Sequence, residues 1–465
     1  MTARLPVVMA AIALALTTAV VGRPGAAAAA DDVNLGDFEL VASGGSLQPM
    51  VDQLDAELHK SGVQNLLDNA NRTATFGSAC TTDPFGSMPA PANRYCFDPA
   101  DTNSQEWVPQ GVTSVSDAQD DELWGTHQAL MISSYDNYNP GTVDGVRCVT
   151  SNTDDACNEK GARVTFLDPA THRYRHVLLA WPYINSFGHL SFDALHARDN
   201  PPPAQSGIHA GGILWYGNYL YVADTTRGLR VFDMRYIFDL DPDGDPSTDD
   251  PTQDGLTSNV TDRFMVGRQD NVFYGYGYRY VMPQVATWVN NAGADNPGDD
   301  SCPTDGAPKF SYVSIDRASV PDQLITGEYC NPTSTQPSNG RVALWPLDGS
   351  TGDLVHQRVG DDDIVRASNA FRLPVSNVQG ATVAQGSWYF SKSRGCTNAQ
   401  LVVATHGTNG WTTNATRQAA VGTEDLSFWR GQNLVWTVTE HRLASGDSSA
   451  CDSAPAGRVL YGVVA

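Results

Sequence analysis

From residue 106 onward, apolar residues gather in short runs separated by Gly, Asn, Asp and Pro. Five passages repeat one order. Each opens with a polar side chain beside small residues, enters an apolar strand, turns, and enters a second strand. The openings are Pro109-Gln110-Gly111-Val112, His209-Ala210-Gly211-Gly212, Pro283-Gln284-Val285-Ala286, Val378-Gln379-Gly380-Ala381 and Thr423-Glu424-Asp425-Leu426. The second strands are expected at 129–133, 220–223, 310–314, 388–391 and 434–438. Gly marks the turn before them in Tyr216-Gly217-Asn218, Gln385-Gly386-Ser387 and Arg430-Gly431-Gln432. A third strand, often introduced by Gly and Arg, follows in each passage, as in Leu229-Arg230-Val231-Phe232-Asp233 and Arg341-Val342-Ala343-Leu344-Trp345. Fourth strands are predicted at His172 to Leu179, Asp262 to Arg268 and Leu354 to Val359.

A lone four-stranded sheet leaves both faces in water, whereas sheets packed in a ring cover one another. That is why these strands read as nearly continuous apolar runs rather than strict alternation. The pattern predicts an all-β fold, a β-propeller of five blades over 106–465. The interval from Gln379 to Glu424 matches the usual blade of about 40–45 residues. The longer intervals leave room for a sixth or seventh unit, and a β-sandwich is the competing architecture. The segment from Gly217 to Asp233, Gly-Asn-Tyr-Leu-Tyr-Val-Ala-Asp-Thr-Thr-Arg-Gly-Leu-Arg-Val-Phe-Asp, resembles propeller repeats of the NHL, YWTD and LVIVD-like kinds. The resemblance covers one unit well and the others loosely. It implies a fold and leaves activity open.

The segment 31–105 reads differently. Leu47, Met50, Val51, Leu54, Leu58, Val63, Leu66 and Leu67 recur at mostly three- and four-residue steps, which predicts an amphipathic helix interrupted near Gly62. A disulfide-looped stretch should then lead into the first blade. Residues 1–30 carry Arg4, an uncharged run from Leu5 to Val21, and Ala28-Ala29-Ala30 before Asp31. That order predicts a secretory signal peptide and an extracellular protein.

The eight cysteines suit an oxidising compartment. They fall as couples, and the simplest pairing is Cys80–Cys96, Cys148–Cys157, Cys302–Cys330 and Cys396–Cys451, although spacing does not fix connectivity. With 29 Lys plus Arg against 52 Asp plus Glu, the formal net charge is −23. No basic patch is visible along the chain, which argues against nucleic acid and anionic membrane as partners.

In a propeller the first strand of each blade lines the axis, so Gln110, His209, Gln284, Gln379 and Glu424 are expected to meet at one rim. Asp425 stands beside the last of them. Asp224, Arg227, Asp316, Lys392, Arg394, Glu440 and His441 form a second layer at strand ends. Ligand-binding candidates are therefore Gln110, His209, Gln284, Gln379, Glu424, Asp224, Arg394 and His441. One metal signal stands apart. Asp239, Asp241, Asp243, Asp245 and Asp250 surround Gly244 with the oxygen spacing of a calcium loop, although Pro242 and Pro246 depart from that pattern. Four tyrosines between Tyr274 and Tyr280 could stack on sugar faces or pack between blades. The leading expectation is a secreted, non-catalytic, lectin-like protein that binds glycan or protein at a cell surface, within a larger assembly or alone. The alternative is a glycoside hydrolase or polysaccharide lyase acting at the channel mouth through Glu424, Asp425 and His209.

Overall fold

The computed structural model describes residues 33–137, 159–195, 208–242, 257–260, 262–291, 300–445 and 450–465. The expected signal segment, the Cys148–Cys157 pair, Asp243, Asp245 and Asp250 lie outside them. The chain is a β-propeller, and among the described residues its strands include five four-stranded antiparallel units. Unit 1 runs Trp107–Ser114, Leu130–Asp136, Ala162–Leu167 and Arg173–Ile184. Unit 2 runs Ile213–Tyr216, Tyr219–Asp224, Gly228–Asp233 and Tyr280–Asn290. Unit 3 runs Tyr312–Asp316, Gln323–Gly327, Arg341–Pro346 and Asn369–Arg372. Unit 4 runs Val378–Ala384, Ser387–Lys392, Asn398–Gly407 and Gly410–Val421. Unit 5 joins Ser427–Trp429, Leu434–Val438 and Leu460–Val464 to Asn93–Cys96 from the N-terminal segment.

Every residue of Trp107–Ser114, Ala162–Leu167 and Gly228–Asp233 is buried, as expected for sheets covered on both faces. The first strands touch in the order of units 1, 2, 3, 4, 5 and back to 1. Their approach is close at two glycines. A Cβ at Gly212 would overlap the backbone of Val313, and one at Gly380 would lie 2.6 Å from Asp425 Cα. The Gln385-Gly386 turn of unit 4 takes positive φ at both residues, matching the twist of the strands it joins.

Four expected strands change place. Pro283-Gln284-Val285-Ala286 belongs to the outer strand of unit 2, where Val231 pairs with Ala286, and is not an opening strand. The first strand of unit 3 is Tyr312–Asp316, the passage expected to be its second. Asp262 to Arg268 contributes only Val266–Gln269, within a separate three-stranded sheet. Likewise, His356–Val359 pairs with Asp362–Arg366 rather than closing unit 3. For the Pro283 passage the cause is burial: an outer strand buried under other chain segments is as apolar as an inner one, so periodicity cannot rank strands by radius.

The segment before residue 106 is woven into this architecture. Leu460–Gly462 pairs with Asn93–Tyr95, and Thr75–Phe76 adds a further strand outside it. A domain boundary at 106 would therefore cut through unit 5. The expected helix is two, Gln48–Glu57 and Val63–Asp68, separated by a short strand and by Gly62 at φ 90°. Val51 and Leu54 of the first pack among the outer strands of units 1 and 2, and Val63, Leu66 and Leu67 of the second join the core of unit 1. Disulfides join Cys80–Cys96, Cys302–Cys330 and Cys396–Cys451. Among the described residues no helix is long and apolar enough to cross a membrane.

Candidate functional site

In each unit the start of the first strand and the end of the second lie on one face, because the two are antiparallel. That face carries a recurring ion-pair position. An acid ends or follows the second strand, and an arginine opens the third after a glycine. In unit 2, Arg230 Nε donates to Asp224 at 2.8 Å. In unit 3, Arg341 Nε donates to Glu328 at 3.0 Å, and its Nη2 reaches the other oxygen at 2.8 Å. Both pairs are buried, so each charge needs its partner there, and Asp224 serves structure rather than ligand.

Unit 5 breaks this arrangement. Arg458 donates to the carbonyls of Glu440, Ser104 and Trp107 at 2.6, 2.5 and 2.8 Å. The Glu440 carboxylate turns to other groups. Gln110 Nε2 donates to it at 3.0 Å, His441 Nε2 stands 3.4 Å away, and Glu424 hydrogen-bonds it. Gln379 Nε2 donates to Glu424 at 3.2 Å. Burial, followed by the adjacent Glu440 carboxylate, pushes the Glu424 carboxyl well above the ordinary range.

His209 completes the rim. Its ring stacks on Tyr135 with centroids 4.5 Å apart, exposed to solvent on one side. The protein around it pushes its pKa down, and the nearby Glu440 carboxylate opposes that shift. Tyr329, half-buried, accepts a hydrogen bond from Asn377 at 3.2 Å, and it too feels the charges of Glu424 and Glu440. The arrangement is layered in depth. His209, Gln379, Glu440, Tyr135 and Tyr329 reach solvent, whereas Gln110 and Glu424 lie buried below them.

Asp425 occupies the centre. One carboxylate oxygen accepts the backbone N–H of Val112 at 3.2 Å and of Ile213 at 3.3 Å, tying unit 5 to units 1 and 2. It is fully buried, and desolvation drives its pKa well upward. Its bonds to two neighbouring units make it a structural knot.

Four of the five residues expected at one rim thus gather around the Glu424–Glu440 pair or beside it: Gln110, His209, Gln379 and Glu424. Gln284 does not. It is buried on the outer strand of unit 2, donating to Thr287 Oγ1 at 2.5 Å and to the carbonyl of Ala286 at 3.1 Å. His441 flanks the pair against the Cys396–Cys451 bridge. Arg394 is exposed in the turn after Ser387–Lys392. Asp316, on the opposite face, accepts from Ala318 N and Ser319 Oγ, which is turn chemistry. Glu440 is the central group, although the sequence places it only in the second layer. The signal for it is the acid that regularly follows the second strand.

At the proposed calcium loop, Arg279 donates to both oxygens of Asp239, at 2.6 and 2.7 Å, and its Nη1 stands 3.7 Å from Asp241. The first two expected ligands thus already serve a guanidinium. The other three lie outside the described residues.

No family model matches this chain, and no curated protein matches it either. Solved structures similar to it include the WD40 repeats of RRP9, at 9% identity, covering 81% of this chain and 99% of that one with a TM-score of 0.28. Pseudomonas fluorescens PhoX in complex with vanadate, a transition state analogue, is similar at 8% identity, covering 88% and 98%, with a TM-score of 0.33. Kuenenia stuttgartiensis hydrazine synthase gives 10% identity, 74% and 80% coverage, and a TM-score of 0.25. At such scores the likenesses carry no functional argument, and the fold rests on the strand pairing of this chain.

Proposed function

We propose that this chain is a secreted recognition protein that binds a glycan at the rim formed by Gln110, His209, Gln379, Glu424 and Glu440. One observation carries the reading. The acid that units 2 and 3 commit to an arginine is, in unit 5, released as Glu440 into a cluster of amides, imidazole and phenol at the ring centre. Amide, carboxyl and hydroxyl groups backed by a stacked His209–Tyr135 pair offer the alternating donors, acceptors and flat surface that polyols use. The same geometry favours binding over hydrolysis. Burial of Glu424 and its neighbour Glu440 keep its carboxyl pushed well up, which suits a hydrogen-bonding acid more than a nucleophile. The disulfides and the N-terminal charged, apolar and small-residue pattern support export.

The test is a glycan array followed by titration calorimetry with wild type, Gln379→Ala and Glu440→Gln, alongside turnover assays on a polysaccharide panel. Saturable binding without product, weakened at least tenfold in either variant, is expected. Released product that disappears in Glu424→Gln would establish the hydrolase instead, and binding that neither variant affects would remove the site from the rim.

A further inference from the structure

The arginine position that anchors units 2 and 3 is also altered in unit 1, with a different result. Arg163 opens the third strand there, as Arg230 and Arg341 do, and it is 6% exposed. The acid ending the second strand, Asp136, accepts instead from Lys160 N at 2.6 Å. Arg163 turns outward. Its Nη2 donates to Asp101 at 2.8 Å, its Nη1 to Tyr278 Oη at 3.1 Å, and its plane lies 4.6 Å from the Trp107 ring. Its Nε, which meets an acid in the other two units, has no hydrogen-bond partner.

Arg163 lines a cavity of ≈ 370 Å³ between the N-terminal segment, unit 1 and the tyrosine-rich run. Arg72, Arg175, Arg263 and Arg279 share its wall with Trp107, Tyr276 and Tyr278. Asp101 and Glu106 also line it, but each already holds cations. Asp101 takes Arg163 and Arg72 at 2.8 and 3.5 Å, and Glu106 takes Lys160 at 2.5 Å. Arg175 has no ion pair among the described residues. It donates to the carbonyl of Asn69 at 3.2 Å and lies over the Tyr280 ring at 5.0 Å. Burial lowers its pKa; Tyr280 and Asp239 oppose that shift, and Arg279 and Arg72 add to it. This gathering of basic residues corrects the absence of a basic patch expected from the sequence. Its members come from separate segments of the chain, and only folding unites them.

We propose that this cavity binds the oxyanion of a small organic ligand, a carboxylate, phosphate or sulfate group, with the Arg175 guanidinium as its principal donor. Guanidinium groups converge on such oxygens through paired, charge-assisted hydrogen bonds, and the three aromatic rings give the ligand body a wall to lie against. The site is separate from the rim around Glu440, so either can stand without the other.

Titration calorimetry on the full chain with inorganic phosphate, sulfate and glucuronate, at constant ionic strength, tests this and identifies the oxyanion. Saturable binding of at least one is expected, weakened tenfold or more in Arg175→Gln and several-fold in Arg263→Gln at the exposed edge. It should be unchanged in Arg358→Gln, whose exposed side chain pairs with Asp363 elsewhere. If Arg175→Gln fails to fold, phenylglyoxal labelling of wild type read by mass spectrometry decides: bound anion should protect Arg175 and Arg263. No saturable binding of any of the three anions, or binding that neither protects these arginines nor responds to the folded variants, overturns the proposal.

Discussion

Replacing Asp425 tests whether the propeller centre is held by one side chain. In Asp425→Ala, the backbone N–H groups of Val112 and Ile213 lose their shared acceptor in a fully buried place that water cannot reach. An unsatisfied buried donor costs roughly 1–3 kcal/mol, so the two together should destabilise by about 4 kcal/mol. Asp425→Asn should behave otherwise. Its amide oxygen can take the position of the oxygen that accepts both bonds, and it removes a carboxyl whose ionisation burial already opposes. Its stability should fall within about 1 kcal/mol of wild type. Urea denaturation followed by tryptophan fluorescence measures both, read as midpoint shifts at constant slope. An Asp425→Ala loss under about 1 kcal/mol, or an Asn variant as damaged as the Ala one, would refute the argument that this acceptor ties the first strands together.

Other consequences follow from groups of opposite pH response. Glu424 has a raised folded pKa, so the folded state holds its proton more tightly, and stability falls as pH rises above about 4.5. Glu424→Gln should therefore raise the melting temperature at pH 7 and flatten the profile between pH 4 and 7; a lower melting temperature at pH 7 contradicts this. His176, pushed down to about 4 by burial and then by Arg163, stays neutral when folded. Stability is then lost as pH falls from about 6.5 towards 4, by about 3 kcal/mol at full extent, and an NMR titration of His176 near 6.5 would exclude it. Removing the Cys80–Cys96 bridge in a double Ala variant opens a loop of sequence separation 16, which should cost about 3 kcal/mol by chain entropy. A urea midpoint unchanged from wild type would show that unit 5 does not depend on the bridge.

The repeating strands were legible because burial on both faces writes long apolar runs, and Gly217 and Gly386 mark their turns. Radial order was not, for the same reason: Gln284 sits beside Val285 and Ala286 in a sequence that reads like an inner strand but lies outside. Asn93–Cys96 was missed as a propeller strand because Asn-Arg-Tyr-Cys carries no apolar run. What makes it a strand is the free edge of Leu460–Val464, distant in sequence. Most of the rim was legible, since Gln110, Gln379 and Glu424 share one position in the repeat. The role of Glu440 was not, because it depends on Arg458 turning to carbonyl oxygens. The arginines around Arg163 leave no local trace at all.

Unit 5 draws strands from both ends of the chain, and this dictates an order of events during synthesis. Asn93–Cys96 is made long before its partner Leu460–Val464, with units 1 to 4 between them. Until that partner forms, the early strand has one edge unsatisfied, a template for pairing with the wrong chain. Its pairing with Thr75–Phe76 and the Cys80–Cys96 bridge are both short-range and need no other unit. The bridge then guards a half-built edge until Leu460–Val464 arrives to claim it.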